Sequence, residues 1–280
     1  MNAVIEIDNL TKSYGTNKVI EDISFGVNRG EIFALLGTNG AGKTTILECI
    51  EGIRKYDSGN IKINGTVGVQ LQSSSLPTNI KAMEAYHLFC RWNKVPVDLD
   101  LFNVFELAQL KNKQYMEMST GQQRRLHLAL ALIGNPDIIF LDEPTAGLDV
   151  EGRVSLHSQI RNLKEQGKTI IMASHDMAEV ESLCDRIAIL NNGKIAFSGT
   201  INELTNEMGE QCLIRIKTER PLQTVDCEQE YAVFTTQNIG DTLLELLEIC
   251  KETQNTVIDI KIERATLEKR FMDIARECVS

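Results

Sequence analysis

No apolar run in this sequence approaches the roughly 18–20 residues that a membrane-spanning helix needs. The longest candidates, such as Leu128–Ile133, are far too short, and the mean hydropathy is −0.14. The stretch Met1–Asp8 has no basic region followed by an apolar one, so no secretory leader is expected and the expected location is cytoplasmic. Metal-binding spacings are missing as well. The seven Cys are scattered without a Cys-x-x-Cys pair, and His87, His127, His157 and His175 make no ligand spacing with any of them. An odd Cys count without a leader points to free thiols in a reducing compartment. Positive charge is in deficit: Lys plus Arg is 29 against 39 Asp plus Glu, a net −10. Affinity for nucleic-acid backbones comes mainly from basic groups, so no nucleic-acid partner is expected. Internal repeats and low-complexity runs are absent.

What is present suits a globular chain. Its 280 residues, 42% hydrophobic and 24% charged, can bury a core without disulfides and fill one large or two modest domains. Val4–Ile7 alternates like a short strand. Thr11–Asn17, polar and holding Gly15, reads as a turn, and Val19–Val27 as extended chain. Glu31–Leu36 is a mostly apolar run ending at Gly37, as in a parallel strand buried on both faces. A Gly-rich stretch follows, then a helix over Lys43–Glu51. Ile61–Gly65 and Val67–Leu71 read as short strands. Pro77–Met116 is helical in pattern and holds Tyr86, Phe89, Trp92, Phe102, Phe105 and Tyr115, so it reads as an inserted helical subdomain. The simplest role for those rings is the core of that insert, with Trp92 open to either a packing or a contact role. Thr120–Ile133 continues as a helix. Ile138–Leu141 and Thr169–Ala173 are further buried strands, with an amphipathic helix over Arg153–Gln166 between them. Met177–Cys184 is helical, and a hairpin turns over Asn191-Asn-Gly193. Alternating strand and helix argues for an α/β core with a mainly parallel sheet. After about residue 205 the pattern restarts. Strands at Leu213–Lys217, Tyr231–Thr235 and Val257–Ile260 alternate with helices at Asp241–Glu252 and Ala265–Arg276, a small α+β appendage.

Gly37-Thr-Asn-Gly-Ala-Gly-Lys-Thr44 matches G-x-x-x-x-G-K-[ST]. Consecutive backbone N–H groups in such a loop point inward at phosphate oxygens, and glycine permits the dihedrals this needs. The helix N-terminus beyond Gly42 adds favourable partial positive charge. Lys43 reaches the β- and γ-phosphates, and Thr44 offers its hydroxyl to Mg²⁺. The apolar strand Ile138–Leu141 ends in Asp142 and Glu143. Asp142 stands where a Mg²⁺-binding carboxylate belongs, acting through water. Glu143 is placed to accept a proton from the attacking water or to orient it. In Met118-Ser-Thr-Gly-Gln-Gln-Arg-Arg125, Ser119 and Gln122 form a capping box at the start of a helix. That N-terminus can also bind an anion.

Taken together, these stretches resemble the ATP-binding cassette ATPases of membrane transporters. Gly37–Thr44 is similar to the Walker A loop, Ile138–Glu143 to Walker B, and Met118–Gln122 to the family signature, usually Leu-Ser-Gly-Gly-Gln. Ala146-Gly-Leu-Asp149 resembles the dimer-contact loop and Ser174-His-Asp176 the switch-histidine loop. Gln72 stands where the lid glutamine sits, with Gln70 as a competing candidate, and Tyr14 matches the aromatic residue that stacks on adenine. Thr120 replaces the first signature glycine, which leaves Ser119, Gly121 and Gln122 intact but puts the turnover rate in question. Thr38 stands where many relatives have Pro.

The resemblance implies a P-loop NTPase core with an N-terminal antiparallel β subdomain. A cassette over residues 1–205 would hold a helical subdomain at about 77–135, with an accessory domain over 206–280. It implies ATP held by Tyr14, Gly37, Thr38, Asn39, Gly40, Ala41, Gly42, Lys43, Thr44 and Thr45. The partner half of the site would be Ser119, Gly121, Gln122 and Asp149. Glu143, His175 and Gln72 would be catalytic, and Thr44, Gln72 and Asp142 would hold Mg²⁺. Two cassettes, identical or related, would pack head to tail on ATP and drive a polytopic membrane permease from the cytoplasmic face. The single cassette plus tail resembles the multidrug and antibiotic exporter branch. The alternative is a cassette ATPase acting on DNA or ribosomes. DNA-repair relatives split the cassette with a long coiled coil, and ribosome-acting relatives carry two cassettes. This chain has neither feature.

Overall fold

The computed structural model describes residues 3–70, 76–206, 212–220, 227–228, 231–264 and 271. The chain divides into two compact units, Met1–Ser198 and Gly199–Ser280. The first is built on a six-stranded sheet in the order β5-β6-β7-β3-β8-β9. Its strands are β3 (Ile32–Gly37), β5 (Val67–Gln70), β6 (Ile138–Asp142), β7 (Thr169–Ser174), β8 (Arg186–Asn191) and β9 (Lys194–Thr200). Every residue of β3, β6 and β7 is buried, which is why these segments are apolar without alternation. The pairs β5–β6, β6–β7, β7–β3 and β3–β8 are all parallel. Leu36 pairs with Ser174, Gly37 with Leu190 and Asp142 with Ala173, so the three loops that follow β3, β6 and β7 leave one edge together. That carboxyl edge is where open α/β sheets bind ligands. The β8–β9 hairpin turns on Asn192 and Gly193, both at positive φ (48° and 78°), as a two-residue turn matched to strand twist requires.

A three-stranded antiparallel sheet, β2 (Asn17–Asn28), β1 (Ala3–Tyr14) and β4 (Ser58–Ile63), lies beside this core. Helix α1 (Lys43–Ile50) is shared by both sheets: Ile46, Leu47 and Ile50 belong to one buried cluster with Ile5, Ile20, Phe33 and Phe140. Phe25 of β2 stacks on Phe33 of β3 at 5.3 Å. Each such buried ring or branched chain contributes about 1.5–3 kcal/mol relative to exposure. The expected turn over Thr11–Asn17 is corrected here. Residues 11–14 extend β1, and only Gly15 and Thr16 turn the chain. The polar residues are held from outside the strand. Asp57 accepts from the Ser13 N–H at 2.6 Å and from Lys12 Nζ at 3.1 Å.

The insert is also less continuous than its pattern. It contains α2 (Ala82–Trp92), a short α3 (Leu99–Val104) and two 3₁₀ turns at Ala108–Leu110 and Tyr115–Glu117. Lys94 and Glu106 have positive φ (56° and 55°), which ends each helix. Tyr86, Phe102 and Phe105 are buried as the insert's core, and the Tyr86 hydroxyl donates to the Asp98 carbonyl at 2.7 Å. Trp92 is 75% exposed. Then follow α4 (Thr120–Ala131), α5 (Val150–Glu165) and α6 (Met177–Leu183). Gly68 of β5 lets the two elements meet closely, since a Cβ there would lie 2.1 Å from the Ala131 carbonyl of α4.

The second unit opens with the short α7 (Ile201–Asn206). Its antiparallel sheet has the order β11-β12-β10-β13, made of β10 (Cys212–Thr218), β11 (Cys227–Glu228), β12 (Tyr231–Thr236) and β13 (Val257–Arg264). Helix α8 (Ile239–Glu252) covers it through Leu246 and Cys250, packed with Ile214, Ile216 and Ala232. The helix expected over Ala265–Arg276 lies largely outside the described residues. No helix among the described residues is long and apolar enough to cross a membrane.

Candidate functional site

The loop between β3 and α1 takes its shape from glycine at two places. Gly42 has φ 107° and a Cβ there would lie 2.9 Å from the Val19 carbonyl; at Gly37 a Cβ would lie 2.9 Å from the Leu190 carbonyl. α1 starts at Gly42 with no side-chain cap. The first-turn N–H groups of Lys43, Thr44 and Thr45 therefore face the loop without an intrahelical acceptor. Thr38, Asn39 and Gly40 are exposed at its tip, and Ala41 is buried beneath. Lys43 Nζ donates to the Gly37 carbonyl at 2.7 Å and to the Thr38 carbonyl at 3.2 Å. Burial lowers the pKa of this amine, and the carboxylates of Glu143 and Asp142 oppose the shift.

Two carboxylates close the site from β6. Asp142 is buried, and burial raises its pKa against a hydrogen bond from the Thr44 hydroxyl. Its Oδ1 has no hydrogen-bond partner among the described residues. An orphaned carboxylate oxygen beside a hydroxyl is an all-oxygen donor set of the kind that Mg²⁺ takes. Glu143 follows at φ 50°, its N–H donating to the Ala173 carbonyl at 3.0 Å. Its Oε1 lies 3.8 Å from Lys43 Nζ and its Oε2 lies 2.6 Å from His175 Nδ1. His175 projects from the turn after β7, its side chain 55% exposed.

Tyr14 and Arg54 line the same cleft as Lys43, Thr44 and Glu143. Tyr14 is 41% exposed, with Lys12 Nζ and the Arg54 guanidinium each 5.4 Å from its ring centroid. Arg54 in turn is paired with Glu48. Sequence reasoning missed Arg54, because nothing in the spacing links it to Tyr14.

Ser119, Gly121, Gln122 and Asp149 line a second, separate cleft. Ser119 caps α4: its Oγ accepts from the Gln122 N–H at 3.3 Å, and Gln122 Oε1 accepts from the Ser119 N–H at 3.1 Å. Asp149 caps α5, accepting from the Gly152 N–H at 2.8 Å. A Cβ on Gly147 would lie 3.5 Å from Thr120 Cγ2, so Thr120 faces the Ala146–Asp149 loop. The structure therefore brings the expected residues together in two groups and does not join those groups within one chain. Gln72 lies outside the described residues. Gln70 is only 2% exposed, with both amide atoms lacking a hydrogen-bond partner among the described residues, so it is sealed inside the sheet.

The profile of the ABC transporter family matches residues 20–146. An ABC transporter ATP-binding protein of Methanocaldococcus jannaschii is 37% identical over 74% of this chain and 82% of its own length. A Nod factor export ATP-binding protein of Ralstonia nicotianae is 35% identical over 74% of this chain and 70% of its own. Among solved structures, an ATP-binding subunit of an ABC transporter superposes with a TM-score of 0.65 at 26% identity, covering 74% of this chain and 93% of that one. With the phosphate loop, the capped signature helix and the paired carboxylates in that order along the sequence, the chain belongs to the ABC transporter family as one of its ATP-binding, ATP-hydrolysing subunits.

Proposed function

We propose that this chain binds MgATP at the phosphate-loop cleft, completes the site with the second cleft of another cassette, and hydrolyses the nucleotide to drive export through a separate polytopic permease. The observation that carries this reading is Glu143, whose carboxylate spans from Lys43 to His175. The loop N–H groups and Lys43 bind the phosphates, and Tyr14 stacks on the base. Glu143 takes a proton from the attacking water as general base. His175 holds the γ-phosphate and orients Glu143. Thr44, Asp142 and Gln72 would hold Mg²⁺, which when bound neutralises charge on the β- and γ-phosphates.

Ser119, Gly121 and Gln122 at the start of α4, with Asp149, supply the helix N-terminus that closes on a partner's ATP. Closure follows nucleotide binding by linkage, and cleavage removes the bridge. The partner is a second copy or a related cassette. The permease engages the helical insert, where Trp92 is exposed while Tyr86 and Phe102 are packed inside. On this reading the chain works at the cytoplasmic face of the membrane. Export is the direction carried by the Nod factor export relative. The test is Glu143→Gln. It is expected to bind ATP, lose about 100-fold or more in kcat, and elute as a nucleotide-dependent dimer. Unchanged turnover would overturn the role of Glu143.

A further inference from the structure

Glu179 is a buried carboxylate with no part in the mechanism above, only 2% exposed at the third position of α6. It closes a ring around the switch turn. Its Oε2 accepts from Ser174 Oγ at 2.6 Å, and Ser174 Oγ accepts from the Asp176 N–H at 3.0 Å. The Asp176 carboxylate accepts from the Glu179 N–H at 3.1 Å. His175 is the residue between the two ends of that ring, and it is the residue that meets Glu143.

The ring is also tied to α5. Arg153 and His157 stand four apart, on one face of the helix. Arg153 donates to Asp176 Oδ2 at 3.0 Å, and His157 Nε2 lies 3.4 Å from Glu179 Oε1. Neither of those last two atoms has a hydrogen-bond partner among the described residues. A buried carboxylate is costly to leave uncompensated, so these few contacts select one arrangement. α5 itself begins at Asp149, in the loop that lines the second cleft.

We infer that Glu179 is a positioning residue for ATP hydrolysis. With Arg153 and His157 it fixes the turn that presents His175 to Glu143, and it ties that turn to the helix starting at Asp149. A change in the Asp149 loop when a second cassette docks is thereby transmitted to His175 through two side-chain contacts one helical turn apart. This inference rests on the proposed role of His175.

The test measures ATP turnover of the full chain over a range of ATP concentrations. Glu179→Gln keeps the shape and can still accept from Ser174, but loses the charge facing α5. It is expected to lower kcat about 10-fold with KM within about twofold, because misplacement rather than lost binding is the defect. His157→Gln is expected to do the same, and the double variant to lose little more than either single one. Arg153→Gln, at an exposed position that tolerates exchange, is expected to lower kcat about threefold and supplies the result if Glu179→Gln does not fold. A normal kcat in Glu179→Gln, or in Arg153→Gln where the first does not fold, overturns the inference, as do losses that multiply in the double variant. His175→Ala separates the two levels. If it abolishes turnover while Glu179→Gln is normal, the positioning role alone fails. If His175→Ala turns over normally, the switch reading fails and this inference with it.

Discussion

Glu143 Oε2 sits 2.6 Å from His175 Nδ1, while the other oxygen of the same carboxylate faces Lys43 Nζ at 3.8 Å. The left-handed φ of 50° at Glu143 is what permits this. It breaks the alternation at the end of β6, so that Asp142 stays beside Thr44 while Glu143 swings between a cation and an imidazole. For a non-glycine residue that conformation costs on the order of 1–2 kcal/mol. It is held by the bond to the Ala173 carbonyl and by the two contacts of the carboxylate.

Lys43→Ala removes the cation that the Gly37 and Thr38 carbonyls and Glu143 all face. ATP affinity is expected to fall about 10- to 100-fold, since a charge-assisted contact to phosphate is lost from a partly desolvated site. Fluorescent-nucleotide titration measures it. Unaffected binding would remove the phosphate-loop assignment.

Ser119→Arg and Lys43→Ala damage different clefts. Each protein alone should be nearly inactive. A mixture forms heterodimers in which one of the two composite sites is intact, so turnover should recover to about a quarter of the normal rate by random pairing. Mixed dimers that hydrolyse no faster than either parent would rule out sharing of sites between chains.

His127 gives a stability signature in acid. Burial pushes its imidazole down to about 4, and its Nε2 lies 2.9 Å from the Tyr115 hydroxyl. Between about pH 6.5 and 4 the unfolded chain binds a proton that the folded chain does not. Stability is therefore complete above pH 6.5 and lost as pH falls towards 4, by about 2 kcal/mol after allowance for partial solvation. Urea unfolding at pH 7.5 and 5 should show this slope, and His127→Gln should flatten it. An equal slope in the variant assigns the acid loss to other groups.

Gly68→Ala should be among the most damaging single-methyl additions in the cassette. The new Cβ would meet the Ala131 carbonyl at 2.1 Å, and backbone cannot rotate away as a side chain can. A loss of about 3 kcal/mol or more is expected, seen as a lower Tm. Wild-type stability would contradict the close seating of α4 on β5.

The parts legible in the sequence were those whose chemistry demands fixed composition. The phosphate loop needs its glycines, Lys43 and Thr44 in one short run, and β3, β6 and β7 need unbroken apolar residues because both faces are covered. Thr11–Tyr14 misled because the end of a strand can be polar when its side chains and backbone find partners in another loop, here Asp57. The insert misled because apolar spacing does not reveal where Lys94 and Glu106 reverse the backbone. Glu179 left one usable trace: Asp176 and Glu179 have the spacing of a helix cap, and the Asp176 side chain does accept from the Glu179 N–H. The carboxylate's contact with His157 had no such trace, since it joins two helices that are separated by a strand.

The chain has one tryptophan, and it is the 75% exposed Trp92 of α2, with Phe89 as its aromatic neighbour at 6.0 Å. The molecule thus carries a single indole, on the insert, and its tryptophan emission, expected at the long wavelength of a water-exposed ring, should shift to the blue when another protein covers it. Engagement of that surface can be followed in the unlabelled protein, with no second indole to obscure the signal.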